Sequence, residues 1–219
     1  MGLAHSPRIV TNGLVLCLDA ANPKSYPGSG TTWKDISRRG NDATLINGAT
    51  FNGADKGSIA FDGVNDKATI PNTVDTRFPH NSAWTLSLFI KVISQGNYPY
   101  VVYVGSDQGS GFAMWTTTSG GGLFVVKHNN AQQSFCPTNY GTIKNLTLVY
   151  SGSGTVLGYE NAGIPVSLIS LSSTDTTSVL QFANSNSGLN LYHVLKYNRA
   201  LSATEVAQNF NATRGRFGI

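Results

Sequence analysis

Hydrolysis of a glycosidic bond needs two carboxylates facing each other across a sugar, one as acid and one as nucleophile or base. This 219-residue chain holds only two glutamates, Glu160 and Glu205, and no Glu-x-Asp-x-x-Glu run to set paired acids on one strand face. Glu205 already has a structural use. Ser202-Ala203-Thr204-Glu205 reads as a capping box, in which the serine hydroxyl takes an amide of the first turn while the glutamate reaches back. An aspartate pair is the one remaining route to such chemistry. Acyl transfer has no Gly-x-Ser-x-Gly elbow, and His5, His80, His128 and His193 stand in no motif with a serine or cysteine. HExxH and paired-cysteine zinc spacings are absent. The glycine-rich stretch Gly105 to Gly111 lacks the Gly-Lys-Ser/Thr ending of a phosphate loop. These residues predict a protein that is not an enzyme.

Two other groups of residues point to binding. Asp62, Asn65 and Asp66 share one short turn, and Asp19 could approach it. Together they gather oxygens of the kind Ca²⁺ takes, roughly six to eight at a time. The competing reading is that Asp and Asn are there to make the turn, because their side chains bond their own backbone. No cofactor is required, and calcium is the one the chain could accommodate. Tyr26, Tyr98, Tyr100 and Trp115 lie near Gly, Pro or Asn, where an exposed ring could stack on a sugar. Trp33 and Trp84 suit the core instead.

Composition narrows the partners. Only 12% of residues are charged, against about 25% in ordinary soluble domains, and Gly, Ser, Thr and Asn take their place. Net charge is +4, and the basic residues are dispersed, so no nucleic-acid partner is expected. Lys196, Arg199, Arg214 and Arg216 against Glu205 alone make the last stretch basic, read as a solvated end or a contact with an acidic surface. Cys17 and Cys136 have no CxxC spacing; Cys17 reads as a small buried hydrophobe, and their pairing is left open. No stretch nears the roughly 18 apolar residues of a membrane span, and Met1 to Val10 has no apolar core of signal-peptide length. The expectation is synthesis in a cytoplasm and no membrane partner.

The elements that must position these residues are strands. Leu14 to Leu18, Ser58 to Phe61, Lys67 to Ile70, Tyr100 to Val104, Phe112 to Thr116 and Leu123 to Lys127 are short apolar or alternating runs between turn signals. Ile143 to Tyr150, Val156 to Tyr159, Val179 to Phe182 and Leu189 to Tyr197 continue the series. Trp84 to Val92 alternates most clearly, with Trp84, Leu86, Leu88 and Ile90 on one face and Thr85, Ser87, Phe89 and Lys91 on the other. About eleven strands with Gly-rich and Asn-rich turns read as a sandwich rather than alternating βαβ units. One helix follows Ser202, with Leu201 and Val206 as a staple around the cap, Val206 and Phe210 facing the sandwich, and Gly215 as its stop. With no repeat or linker, residues 1–219 read as one domain, residues 1–12 being an extended N-terminal arm.

Several segments carry a resemblance. Gly13-Leu-Val-Leu-Cys-Leu-Asp-Ala-Ala-Asn-Pro-Lys-Ser-Tyr26 is followed by Gly30-Thr-Thr-Trp-Lys-Asp-Ile-Ser37, Gly40-Asn-Asp-Ala-Thr-Leu45 and Ile59-Ala-Phe-Asp-Gly-Val-Asn-Asp66. Near the end stand Lys196-Tyr-Asn-Arg-Ala-Leu-Ser-Ala-Thr-Glu205, Gln208-Asn-Phe-Asn-Ala212 and Arg214-Gly-Arg-Phe-Gly-Ile219. Together they resemble the laminin-G-like, concanavalin A-like domains of tailed-bacteriophage virion structural proteins. The resemblance implies an all-β jelly-roll of two antiparallel sheets with neighbouring N- and C-terminal strands and one short C-terminal helix. It implies a non-enzymatic virion protein, assembled in the host bacterial cytoplasm. Such a protein would be a capsid decoration or cement subunit, or part of a tail or fibre. Its partners would be major capsid or tail proteins, and it would form a homo-oligomer or symmetric array. Relatives in lectin and laminin-G families often bind calcium, and a carbohydrate-binding adhesion module for cell-surface glycans is the alternative. Residues Gln95 to Gly141 match no known pattern; loops that carry function are expected there.

Overall fold

The computed structural model describes residues 7–95, 100–105, 110–117, 122–172, 177–183 and 186–219. Among the described residues the chain forms sixteen strands and one helix. The first six strands are β1 (Leu14–Asp19), β2 (Thr32–Trp33), β3 (Ala43–Ile46), β4 (Thr50–Asn52), β5 (Ser58–Asp62) and β6 (Lys67–Ile70). Next come β7 (Trp84–Gln95), β8 (Tyr100–Val104), β9 (Phe112–Thr116), β10 (Leu123–His128) and β11 (Ala131–Pro137). The rest are β12 (Ile143–Tyr150), β13 (Thr155–Glu160), β14 (Val166–Ser170), β15 (Leu180–Phe182) and β16 (Ser187–Tyr197), followed by α1 (Ala203–Phe217).

These strands build two antiparallel sheets, the jelly-roll sandwich expected from the sequence. The first runs β14-β13-β12-β7-β16-β5-β4, with β1 also paired to β16, so the N- and C-terminal strands are neighbours. The second runs β11-β10-β9-β8-β15-β6-β3-β2. Every run read from the sequence falls on a strand, except that Val179 lies just before β15. Five further strands (β2, β3, β4, β11 and β14) were not foreseen, because they are short or carry polar runs such as Ala131-Gln-Gln-Ser134 at a sheet edge.

Between the sheets Trp84, Leu86, Leu88 and Ile90 meet Phe112, Met114, Phe124 and Val126 in one apolar cluster. Trp33 and Trp84 are both fully buried there. The other face of the first sheet is buried as well. Phe217 of α1 stacks on Phe89 at 4.7 Å and meets Tyr192 edge-on at 5.1 Å. Beneath this roof the polar side chains satisfy one another: Asn145 Nδ2 donates to Ser87 Oγ at 3.0 Å, and Ser87 shares a 2.8 Å bond with Thr147. Buried hydroxyls and amides are tolerable only when bonded in this way.

The capping box forms as expected, with Ser202 and Glu205 exchanging bonds. Leu201 and Val206 are buried together beside Tyr197. The helix does not stop at Gly215. It runs on to Phe217 and ends at Gly218, whose φ of 72° closes the last turn. A glycine inside a helix costs about 1 kcal/mol, less than the roughly 1.5–3 kcal/mol from burying a Phe ring; seating Phe217 therefore wins. Residues 1–6 of the expected arm lie outside the described residues. Residues 8–10 are docked on the helix: Val10 N–H donates to Asn209 Oδ1 at 2.8 Å, and Gln208 donates to the Arg8 carbonyl at 2.7 Å.

Candidate functional site

The two sheets differ in what covers them. The outward face of the second sheet has no roof like α1 among the described residues. Its strands turn Leu45, Ala68, Leu180, Phe182, Val102, Val104, Phe112, Met114, Phe124 and Val126 into the core. Alternation then sends the intervening residues outward. Cross-strand pairing aligns them in a row, Thr44–Thr69–Gln181–Tyr103–Ala113–Lys127–Gln132, across seven strands. At about 4.8 Å per strand this row is roughly 29 Å long. A second row, Tyr100–Trp115–Val125–Ser134, lies beside it.

An irregularity in β8 joins the two rows. In a regular strand residues three apart face opposite ways. The register shifts between Tyr100 and Val102, so Val101 and Val102 both enter the core. Tyr100 and Tyr103 consequently share the outward face, with ring centroids 4.8 Å apart. Tyr100, Tyr103, Trp115, Lys127, Gln181 and Thr69 are part-exposed, while Ala113 and Val125 between them are buried. The result is a strip of three aromatic side chains flanked by amide, hydroxyl and ammonium groups. Among the described strand residues its charges are Lys127 and Lys67, and no carboxylate faces outward.

Of the sugar-stacking residues expected from the sequence, Tyr100 and Trp115 are thus brought together. Tyr26 is not with them. It is only 4% exposed, packs 5.7 Å from Phe51, and its hydroxyl donates to the Gly30 carbonyl at 2.7 Å. Burial raises its pKa. Tyr26 holds a loop down rather than offering a face to a ligand. Tyr98 lies outside the described residues. Tyr103 was missed, because strict alternation from Tyr100 sends it to the core.

The four residues considered for calcium do not form one site. Asp19 and Asp62 pair with His193 and Gly188 of β16, five positions or roughly 16 Å apart. Asp19 Oδ1 accepts from Arg216 at 2.7 Å and from the Ala21 amide at 3.1 Å. Asp62 Oδ1 accepts from the Val64 amide, Asp66 Oδ2 from the Asp62 amide, and the Asn65 carbonyl from Asn47. These are turn-building bonds. Asp66 Oδ1 alone is buried without a partner, and burial raises the pKa of that carboxyl. Among the described residues no group of three or more His, Cys, Asp or Glu is placed to hold a metal ion.

Both glutamates and the Cys17–His193 pair are engaged by neighbouring groups. Glu160 pairs with Lys144, and Glu205 with Arg199, whose side-chain bond holds the Glu205 carboxyl at about 2. Cys17 Sγ lies 3.8 Å from His193 Nε2 in the wall of a 440 Å³ cleft beneath α1. Burial, then Asp19 and Asp35, push this thiol up to about 12. Burial brings His193 down to about 4 against the pull of Asp19. A neutral thiol beside a neutral imidazole is no nucleophile. Cys136 sits in the other sheet, and the two cysteines are free.

No protein-family model matches the sequence, and no curated protein matches it either. Solved structures do resemble it. The binding domain of Paraclostridial Mosquitocidal Protein 1 superposes with a TM-score of 0.73 at 17% identity, over 92% of this chain and 52% of that one. The binding domain of botulinum neurotoxin DC, solved in complex with SialylT, gives 0.70 at 12% identity, with 92% and 52% covered. Trypanosoma rangeli sialidase in complex with sialic acid gives 0.70 at 14% identity, with 97% and 36% covered. The chain spans about half the length of the two toxin structures and about a third of the sialidase. At these identities the likeness is one of fold, an antiparallel jelly-roll β-sandwich. The two toxin neighbours are binding domains.

Proposed function

We propose that this protein is a carbohydrate-binding module, and that the outward face of the second sheet is its binding surface. The observation that carries this reading is the strip of Tyr100, Tyr103 and Trp115 beside Gln181, Thr69 and Lys127. A sugar ring has an apolar C–H face and an equatorial belt of hydroxyls. The aromatic rings supply flat apolar area at little entropic cost, and the amide, hydroxyl and ammonium groups supply directional bonds; binding sites commonly combine the two. The neighbours' ligands agree in kind: SialylT for one neurotoxin domain, two ganglioside molecules in the entry of botulinum neurotoxin type C, and sialic acid for the sialidase. The absence of outward carboxylates on the described strands favours neutral or acidic glycans over basic ones. Glu160, Glu205 and the Cys17–His193 pair are engaged by neighbouring groups and are assigned no part in binding.

A glycan array followed by calorimetry on the best ligand tests this. Trp115→Ala and Tyr103→Ala should each weaken binding tenfold or more, about 1.4 kcal/mol, with an unchanged circular dichroism spectrum. An array without hits, or full binding by both variants, would overturn it.

A place in a virion is the second reading. It rests on the phage-like segments at both ends and on the edge strand β14, where Val166 and, just before the strand, Ile164 are exposed. An unpaired strand edge with apolar side chains suits association with a neighbouring copy or another particle protein. Native mass spectrometry showing a monomer, together with absence of the protein from purified particles, would refute this role without touching the first.

A further inference from the structure

Lys196 occupies a position where the fold calls for an apolar side chain. On β16 its neighbours Leu195 and Tyr197 face the cluster under α1. Lys196 therefore turns inward, paired with Leu86 of β7 and Leu16 of β1, both core residues. It is 2% exposed. Its Nζ donates to the Asp75 carbonyl at 2.9 Å and lies 4.8 Å from the centre of the Phe78 ring. An ammonium group has three donors, and the described residues supply one acceptor.

The obvious counter-charge is used elsewhere. Both carboxylate oxygens of Asp75 are taken by Arg39, at 2.9 and 3.2 Å. Arg77, beside them, donates to the side-chain oxygen of Asn72 at 2.8 Å and forms no ion pair among the described residues. All four charged residues line one cleft of about 460 Å³ at the end of the sandwich, away from the aromatic strip. Three cations thus face one carboxylate, and two of the three have no acidic partner among the described residues. Asn81, Ser82 and Asn198 complete the polar lining. A buried charge without a partner is costly, so such a set is stable chiefly when an anion completes it.

We propose that this cleft is a second binding site, for a compact oxyanion held between Arg77 and Lys196. A carboxylate, sulfate or phosphate group has the size and the multiple acceptors these donors lack, and the Arg77 fork suits it bidentately. The anion is either free or carried on a sugar acid. The site is independent of the glycan-binding face, so failure of either proposal leaves the other standing.

Burial lowers the Lys196 pKa to about 7, against the pull of Asp75. Arg39, Arg77 and Asp75 are the other charged groups of the cleft. An anion bound there requires the protonated amine, so its affinity should weaken as pH rises past neutrality. Calorimetry at constant ionic strength in a chloride background, with sodium sulfate, glucuronate and glucose at about pH 6 and pH 8, tests this. The expected result is saturable binding of an anion at the lower pH and none of glucose. Sulfate alone would indicate a free inorganic anion, and glucuronate a sugar acid. Arg77→Gln, a substitution at a part-exposed side chain, should weaken binding about tenfold or more, and Lys196→Met should remove the pH dependence. No saturable heat with either anion, or parent-like binding by both variants, overturns the proposal.

Discussion

Tyr100 of β8 stands directly across the ladder from Trp115 of β9, and the register shift that follows it brings Tyr103 onto the same face. The bulge is what lets two tyrosines three positions apart share one face. Deleting Val101 would leave Tyr100, Val102 and Tyr103 in regular alternation, with both tyrosines still outward. Glycan affinity should then stay close to the parent's, unlike that of Trp115→Ala, while a cooperative melt is retained. A loss as large as that of Trp115→Ala would show that binding needs the bulge itself and not only the placement of the rings.

Tyr26 supplies the contrast. Tyr26→Phe removes the hydroxyl that donates to the Gly30 carbonyl and should cost about 1 kcal/mol of stability. Glycan binding should be untouched. A chemical-denaturation midpoint and a binding isotherm on the same preparation measure both, and lost binding would return Tyr26 to the site.

The sandwich was legible in the sequence because most of its strands alternate over a buried face, as Trp84 to Val92 does. The edge strands were not: Ala131 to Ser134 is exposed and polar, so it carries no burial pattern to read. The site was half legible. Tyr100 and Trp115 announced themselves as aromatics near turns, but so did Tyr26, and only packing against Phe51 tells them apart. Tyr103 was hidden because a bulge breaks period-two reasoning. Lys196 was hidden for another reason, since a lysine in a strand near the basic C-terminal stretch reads as solvated until its neighbours are shown to be the core.

The helix that roofs the first sheet should be a major source of stability. Phe217 lies against Phe89 and Tyr192, and Phe217→Ala should cost about 3 kcal/mol or more. Because that face is far from the aromatic strip, glycan affinity below the melting transition should not change. A urea midpoint within error of the parent would mean that the last turn of α1 is not seated on the sheet.

His193 makes the fold acid-sensitive. Its pKa is about 4 when buried, against 6.5 in an unfolded chain. Between these values the unfolded state binds the extra proton, so stability is full above about pH 6.5 and is lost as pH falls towards 4. The two values set an upper bound of about 3 kcal/mol on this loss. His193→Gln should flatten the dependence of the urea midpoint on pH over this range; an identical slope in parent and variant would assign the acid sensitivity to other groups.

Lys196 predicts the opposite limb. Its pKa lies near 7 in the fold and at 10.5 in a free side chain, so above neutrality the unfolded chain again holds the extra proton. Stability should therefore rise with pH from about 7, by up to roughly 1.4 kcal/mol per unit. The rise is opposed above pH 9, where the unfolded thiols ionise while burial keeps Cys17 and Cys136 protonated up to about 12. The clean window is pH 7 to 9. In that window Lys196→Met, which replaces a buried amine by a side chain of similar length, should show a flat midpoint. A saturating oxyanion should also flatten the parent's slope, because it holds the amine protonated in the folded state. If the variant keeps the parent's slope, Lys196 is not the group that titrates, and the pH dependence expected of its cleft goes with it.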